Sequence, residues 1–317
     1  MRSSAVRTSG PCILTLALMT PLLISSDHPH CRNIETTTPS SRSDGPTHFP
    51  PDSKDSSLSP DSQDSSLPST ILRQLVSVER GSLPIILSVP HGGTLPIPQA
   101  AERRGRGLSD FQTVRDAWTI ELATACAAEL ERTLRGKPWL IVARFDRKFL
   151  DVNRPAQRAY ESESAQAVYE YYHRSVALAC QQVRQRWQSG LLLDIHGQGE
   201  YPDAICRGTL NGQTVQLLLD RHGWAALVGK RGLFGYLQRQ GYKILPDCLA
   251  DVRTREVPQY QGGYIVTTYG SHTRHGIDAI QVEIGLRLRE QGRWRETARD
   301  LATALAVYAE EFLLPSR

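Results

Sequence analysis

Two histidines and a glutamate occupy positions in this sequence where reactive groups gather. Residues 83–89 form a short apolar run containing Pro84 and ending before Pro90, and the chain then turns on Gly92 and Gly93. His91, within Ser88-Val89-Pro90-His91-Gly92-Gly93, therefore stands at the mouth of a buried strand. Leu191-Leu192-Leu193-Asp194-Ile195-His196-Gly197 repeats the form, and Ala279-Ile280-Gln281-Val282-Glu283-Ile284 carries a carboxylate inside an apolar strand. In a parallel sheet both histidines emerge at the same carboxyl edge, where open α/β proteins bind their ligands. Neutral imidazole is a common zinc ligand, and catalytic zinc takes three protein ligands and keeps one position for water. The set points to a metal-dependent hydrolase. Glu283, flanked by Val282 and Ile284, is costly to bury unless it is paired or its pKa rises. Such a carboxylate suits a general base that takes a proton from water. Simple alternation would instead place Gln281 and Glu283 on the solvated face of an edge strand, and the strand pattern alone does not choose.

A second concentration of functional groups runs through Arg144-Phe145-Asp146-Arg147 and Asp151-Val152-Asn153-Arg154. Arginine meets a carboxylate with two parallel hydrogen bonds, so the segment implies an anionic substrate. As a plain surface loop it would hold only local ion pairs. Asp116, at a helix start after Thr113, is either a carboxylate favoured by the helix dipole or a third metal ligand. Three other groupings read as structural. His272-Thr273-Arg274-His275 has ligand-like spacing but follows no clear strand or helix, and His222-Gly223 reads as a helix end. Gly262-Gly263 is not a phosphate cradle, because Tyr264, Ile265 and Val266 are strand-like and offer no helix start.

The elements that must position these groups alternate. Strands are expected over 83–89, 139–145, 191–195, 242–245 and 279–284. A helix is expected over 113–134, with Trp118, Leu122, Ala125, Cys126 and Leu130 near one face, and another over 165–187, with Val168, Tyr172, Val176 and Ala179 in its stripe. Residues 212–240 hold one or two helices broken at Gly223 and Gly232, 262–269 reads as loop plus strand, and 294–313 closes the chain as an amphipathic helix. The alternation predicts an α/β protein: a mostly parallel mixed sheet with helices on both faces, a three-layer α/β/α sandwich.

Composition divides the 317 residues unevenly. Residues 1–26 have a basic start (Arg2, Arg7), an apolar stretch from Pro11 to Ile24 and then small residues, the layout of a secretory signal peptide; the apolar run is too short and Pro-interrupted to span a membrane. Residues 27–70 are rich in Ser, Pro and Asp, with the near-duplicates Asp55-Ser56-Ser57-Leu58 and Asp64-Ser65-Ser66-Leu67, and read as a disordered linker. The folded domain, 71–317, is expected to begin near Ile71. The leader implies a secreted or periplasmic protein, or a cytoplasmic one if it is not a functional signal. Net charge is +4 with acids and bases mixed, and no basic run or aromatic-interleaved patch implies nucleic acid. The six cysteines form no CxxC pair, which argues against a cysteine zinc site.

Taken in order, Ser88-Val89-Pro90-His91-Gly92-Gly93, Asp116-Ala117-Trp118-Thr119, Arg144 with Asp151-Val152-Asn153-Arg154, Asp194-Ile195-His196-Gly197, Gly262-Gly263-Tyr264 and Gln281-Val282-Glu283-Ile284 resemble the N-formylglutamate amidohydrolase family. Each motif is short; the ordered set is specific. The resemblance implies a phosphorylase/hydrolase-like fold, similar to zinc carboxypeptidases and aspartoacylases, and a Zn2+ cofactor. It implies His91 and His196 on zinc, Asp116 as the third ligand and Glu283 activating water. Asn153 and Arg154, with Asp151 beside them, would bind a substrate carboxylate, and Arg144 would help there or stabilise the oxyanion. Two departures stand out. Carboxypeptidase-type sites take a glutamate three residues after the first histidine, where this chain has Thr94, and an exported leader sits poorly with a cytoplasmic histidine-degradation enzyme. The implied reaction is hydrolysis of the amide of an N-formyl- or N-acyl-amino acid, a small anionic substrate. A carboxypeptidase-like or peptidoglycan-amide hydrolase suits an extracytoplasmic address, and a metal-free binding protein could keep the same fold.

Overall fold

The computed structural model describes residues 67–250 and 254–315. The leader expected over 1–26 and the linker up to residue 66 lie outside them. Leu67 is already buried, so packing starts a little ahead of Ile71. Seven strands, β1 Val76–Glu79, β2 Ile85–Val89, β3 Trp139–Ala143, β4 Leu191–Gln198, β5 Ala204–Gly208, β6 Lys243–Leu245 and β7 Asp278–Gly285, form one sheet in the order β1-β3-β2-β4-β7-β5-β6. β3, β2, β4 and β7 run parallel; β1 is antiparallel to β3, and β5, with β6 parallel beside it, is antiparallel to β7. The helices are α1 Ser69–Leu75, α2 Thr119–Leu134, α3 Ala156–Ala159, α4 Ser164–Trp187, α5 Gln216–His222, α6 Ala225–Val228, α7 Leu233–Arg239, α8 Tyr264–Tyr269, α9 Leu286–Arg289 and α10 Trp294–Phe312. Among the described residues no helix is long and apolar enough to cross a membrane.

The period of two along each strand sorts side chains into two cores. Ile85, Leu87 and Val89, Leu193 and Ile195, and Val282 and Ile284 pack with Leu122, Cys126 and Leu130 of α2 and Leu301 and Leu305 of α10. Ile86, Ile141, Leu192 and Ala279 pack on the opposite face with Val168, Tyr172 and Val176 of α4 and Ile265 and Val266 of α8. This is the expected α/β/α sandwich. From β2 the chain passes through α2 to β3 on one side, then through α4 to β4 on the other. The gap between β2 and β4 is thus the topological switch point, where ligand crevices open at the carboxyl ends of strands.

Three expectations differ from the structure. The helix expected from residue 113 begins at Thr119, and Trp118 is left-handed (φ 69°) and 42% exposed. The Asp116 N–H is spent on the His91 carbonyl, and the Thr119 hydroxyl donates to the Asp116 carbonyl at 2.7 Å, so the chain there follows β2 rather than a helical path. Residues 264–269 are helical although their sequence is β-branched and aromatic. Asn153 Oδ1 accepts the Ile265 N–H and buried Ile265, Val266 and Tyr269 face the core; tertiary contacts override a weak local propensity. β1 and β5 have no counterpart among the expected strands; the apolar run of β5 is broken by Arg207, which is buried and neutralised by Glu256 at 2.9 Å. The breaks at Gly223 and Gly232 fall as expected, between three short helices. Cys126, Cys180, Cys206 and Cys248 are all free thiols, the first three buried.

Behind the switch point, His173 of α4 is packed among the rings of Tyr169, Tyr172, Tyr264 and Tyr269. Its Nε2 lies 3.0 Å from the Val152 carbonyl and its Nδ1 3.0 Å from the Tyr269 hydroxyl. Burial lowers its pKa to about 4, against smaller upward pulls from Val152 and Asp194. The unfolded chain therefore binds the proton first, and the stabilisation is complete above the ordinary value of 6.5 and lost as pH falls toward 4. Across that window wild type should lose at most about 3 kcal/mol relative to His173→Gln, read as the difference between their denaturant-unfolding free energies. Parallel profiles would show that His173 is solvated.

Candidate metal centre

On the α4 side of the sheet, apolar alternation gives way to polar groups at the strand ends. Ser88 pairs in register with Asp194, and Asp194 and His196 pair with Gln281 and Glu283. All five are buried. β7 lies between β4 and β5, so Gln281 and Glu283 face the interior and not the solvated side of an edge strand.

His91 and His196 meet edge to face, with their Nδ1 atoms 3.2 Å apart. Asp116 Oδ2 stands 3.6 Å from His91 Nδ1 and 3.2 Å from His196 Nδ1. The outward nitrogens are held by carboxylates: His91 Nε2 lies 2.7 Å from Asp151 Oδ1, and His196 Nε2 lies 2.9 Å from Asp194 Oδ2. An acceptor at Nε2 fixes the proton there and turns the Nδ1 lone pair inward. With both imidazoles neutral, two lone pairs and a carboxylate oxygen converge on one point, and a shared cation there satisfies all three. The ligand atoms of His91, Asp116 and His196 lie within 4.8 Å of one another, and two imidazoles with one carboxylate make a donor set that fits zinc.

The local charges make the same demand. Burial alone would lower the His196 pKa, but Asp194, Asp116 and Glu283 outweigh it and raise it well above the ordinary value. Burial would raise Asp116, yet the two imidazoles beside it, His196 and His91, hold it far below the carboxylate range. Asp151 is likewise depressed against burial, by His91 and Arg147. Arg147 Nη2 lies 2.9 Å from Asp151 Oδ2 and its Nη1 3.9 Å from Asp116 Oδ1. Ser88 Oγ donates to Asp194 Oδ1 at 2.7 Å and meets the Tyr172 hydroxyl at 2.8 Å. Glu283 Oε1 stands 4.0 Å from His196 Nδ1 and accepts from Gln281 Nε2 at 2.9 Å. Burial pushes its pKa up to about 7; His196 pulls it down and Asp116 adds to the rise.

Neither a family model nor a curated protein sequence matches this chain. Its structure matches that of N-formylglutamate amidohydrolase from Ralstonia eutropha, with a TM-score of 0.53 and 16% identity, over 75% of this chain and 98% of the other. The fold is that of an N-formylglutamate amidohydrolase. A gene product from Agrobacterium tumefaciens matches with a TM-score of 0.49 and 16% identity, over 75% of this chain and 95% of its own.

On this amidohydrolase fold, the residues singled out from sequence divide into two groups. His91, Asp116, His196, Glu283, Asp151 and Asn153 come together. Asp151, placed beside the substrate by the resemblance, lies with its Oδ1 2.7 Å from His91 Nε2. Asn153 spans His196, Gln281 and the first turn of α8. Arg154 is joined to the Asn153 carbonyl and to Asp110. Arg144 is exposed, just past β3; Arg147 is the guanidinium beside the cluster. Thr94 is exposed and Asp116 comes in from 22 residues further on, tied to His91 by its own N–H at 2.9 Å. His272 and His275 precede β7 and so sit at the opposite edge of the sheet. Asp194 and Gln281 carried a signal: each lies two residues before a site residue on the same strand, hence on the same face. Arg147 carried none beyond its arginine-rich setting.

The glycines of the motifs are explained by close approach. A Cβ on Gly93 would strike the backbone at Arg144 and Phe145, and one on Gly263 would strike the Asn153 side chain. Gly199, by contrast, has open space. Gly263→Ala should therefore destabilise by about 1–3 kcal/mol through overpacking, while Gly199→Ala stays within about 0.5 kcal/mol. Denaturant midpoints measure both; equal effects would mean that Asn153 is not fixed.

Proposed function

We propose that this chain is a zinc-dependent amidohydrolase that cleaves the amide of a small N-formyl- or N-acyl-amino acid. The observation that carries the reading is the convergence of His91 Nδ1, His196 Nδ1 and Asp116 Oδ2, with the Glu283 carboxylate 4.0 Å from His196. His91, His196 and Asp116 would hold the metal. When bound, zinc supplies a Lewis acid that polarises the amide carbonyl and lowers the pKa of water to about 7. Glu283, buried and lifted toward neutrality, takes the proton from the attacking water as the C–O bond forms. It returns that proton to the nitrogen as the C–N bond breaks, releasing a carboxylic acid and an amine. Asp151 and Asp194 keep both imidazoles in one tautomer throughout.

Arg154 is assigned to the substrate carboxylate. Its Nε lies 3.5 Å from Asp110 Oδ2, and Arg158 bonds the other oxygen of the same group, so the pair already carries the ligand class in question. Arg144 is given no catalytic part, and the charge beside the reacting group is assigned to Arg147.

Purified wild-type protein should contain stoichiometric zinc by atomic emission, and His91→Ala, His196→Ala and Asp116→Ala should lose it. A wild-type chain that takes up no metal would leave a binding protein on the same fold. Glu283→Gln should keep its zinc while kcat falls by about 10²–10⁴; full turnover by that variant would make some other group the base. In a substrate panel, N-formyl- and N-acyl-amino acids should be hydrolysed and peptides and muropeptides left intact. The reverse selectivity would transfer the site to a peptidase or peptidoglycan-amide hydrolase.

A further inference from the structure

Arg289 ends α9, the short helix that follows β7, and only 3% of it is exposed. Among the described residues no carboxylate lies within ion-pair distance of it. Its donors instead go to three carbonyls: Nε to Ile284 at 2.9 Å, Nη2 to Gln198 at 3.4 Å and Nη1 to Ala117. Burying a guanidinium against neutral oxygens is costly, so the arrangement needs a compensating field. Asp116 and Glu283 supply it: their charges oppose the effect of burial on this arginine, together with that of Glu290.

The three carbonyls have a pattern. Ala117 follows Asp116, Gln198 lies two residues past His196, and Ile284 follows Glu283. One planar fork thus ties together three segments that each carry a residue of the cluster, and only arginine has that geometry. Its base is anchored as well, by the Arg287 N–H on the Pro202 carbonyl and by the Thr297 hydroxyl on the Leu288 carbonyl at 2.7 Å. Gly197 lies between the fork and the ligand. Its N–H donates to Asp116 Oδ2 at 3.0 Å, and the three atoms nearest to a Cβ built on it are all in the Arg289 guanidinium. The glycine of His196-Gly197 is therefore glycine because an arginine occupies the space of its side chain.

We propose that Arg289 is the positioning residue of the metal centre, a clamp that fixes Asp116, His196 and Glu283 relative to one another from behind Gly197. The proposal rests on the metal-binding reading above and adds to it a residue outside the ligand set. The test is zinc affinity of the full chain by chelator competition, with unfolding midpoints alongside. Arg289→Met should bind zinc about 10–100-fold more weakly. Arg289→Lys keeps the charge without the fork and should lose at least about tenfold. Gly197→Ala should weaken binding in the wild-type background but change it by less than about twofold in Arg289→Ala, where the methyl has room. With zinc saturating, kcat should fall in Arg289→Lys while KM holds, because the clamp reaches no substrate. Wild-type affinity in Arg289→Met or Arg289→Lys, or equal Gly197→Ala penalties in both backgrounds, would overturn the clamp while leaving the metal site intact. Absence of zinc from wild type would overturn both.

Discussion

Four carboxylates and two imidazoles are buried together at one edge of this sheet, with the guanidinium of Arg147 directly against them. Water cannot solvate such a group, so each negative charge must be met by a hydrogen bond, an imidazole or a cation. The architecture around it answers that requirement. Asp151 and Asp194 are satisfied from outside by Arg147, Ser88 and the Asn153 backbone. Their inner partners, His91 and His196, are left with lone pairs facing Asp116. The demand for positive charge is thus concentrated at one point.

That concentration depends on topology more than on any one loop. Reversal of the chain direction around β2 opens the crevice, and His91 leaves β2 while His196 stands near the end of β4. The pairing of β4 with β7 sets His196 beside Glu283 and Asp194 beside Gln281, so a slip of β7 by one residue would turn Gln281 and Glu283 into the opposite, apolar core. The hydrophobic surfaces on either side therefore hold the polar groups in register. Stability and site geometry share the same strands.

Much of this was legible in the sequence. Apolar runs ending on His91-Gly92 and His196-Gly197 located two strand ends, and the strand-to-helix rhythm gave the layered class. Glu283 could be picked out but not placed, because its environment depends on β5, a strand hidden by the buried charge of Arg207. Asp116 was ambiguous for a similar reason: its position is set by a backbone bond to His91, which no local pattern encodes. Arg144 and Arg147 show the limit of composition. They lie three residues apart with the same side chain, and only the course of the chain after β3 decides that the second turns toward the cluster. The α8 segment shows the limit of propensity, since Asn153 and the core made a helix of residues that favour strands.

The position of β7 has a temporal side. β5 and β6 are made earlier yet sit outside it, so neither can join the sheet until the last strand has been synthesised and has slotted in beside β4. Glu283 arrives on that same strand. A nascent or truncated chain can carry both histidines and still have no finished pocket, because long-range pairings of this kind close late. The pocket therefore cannot be completed before β7 has been made and has paired with β4.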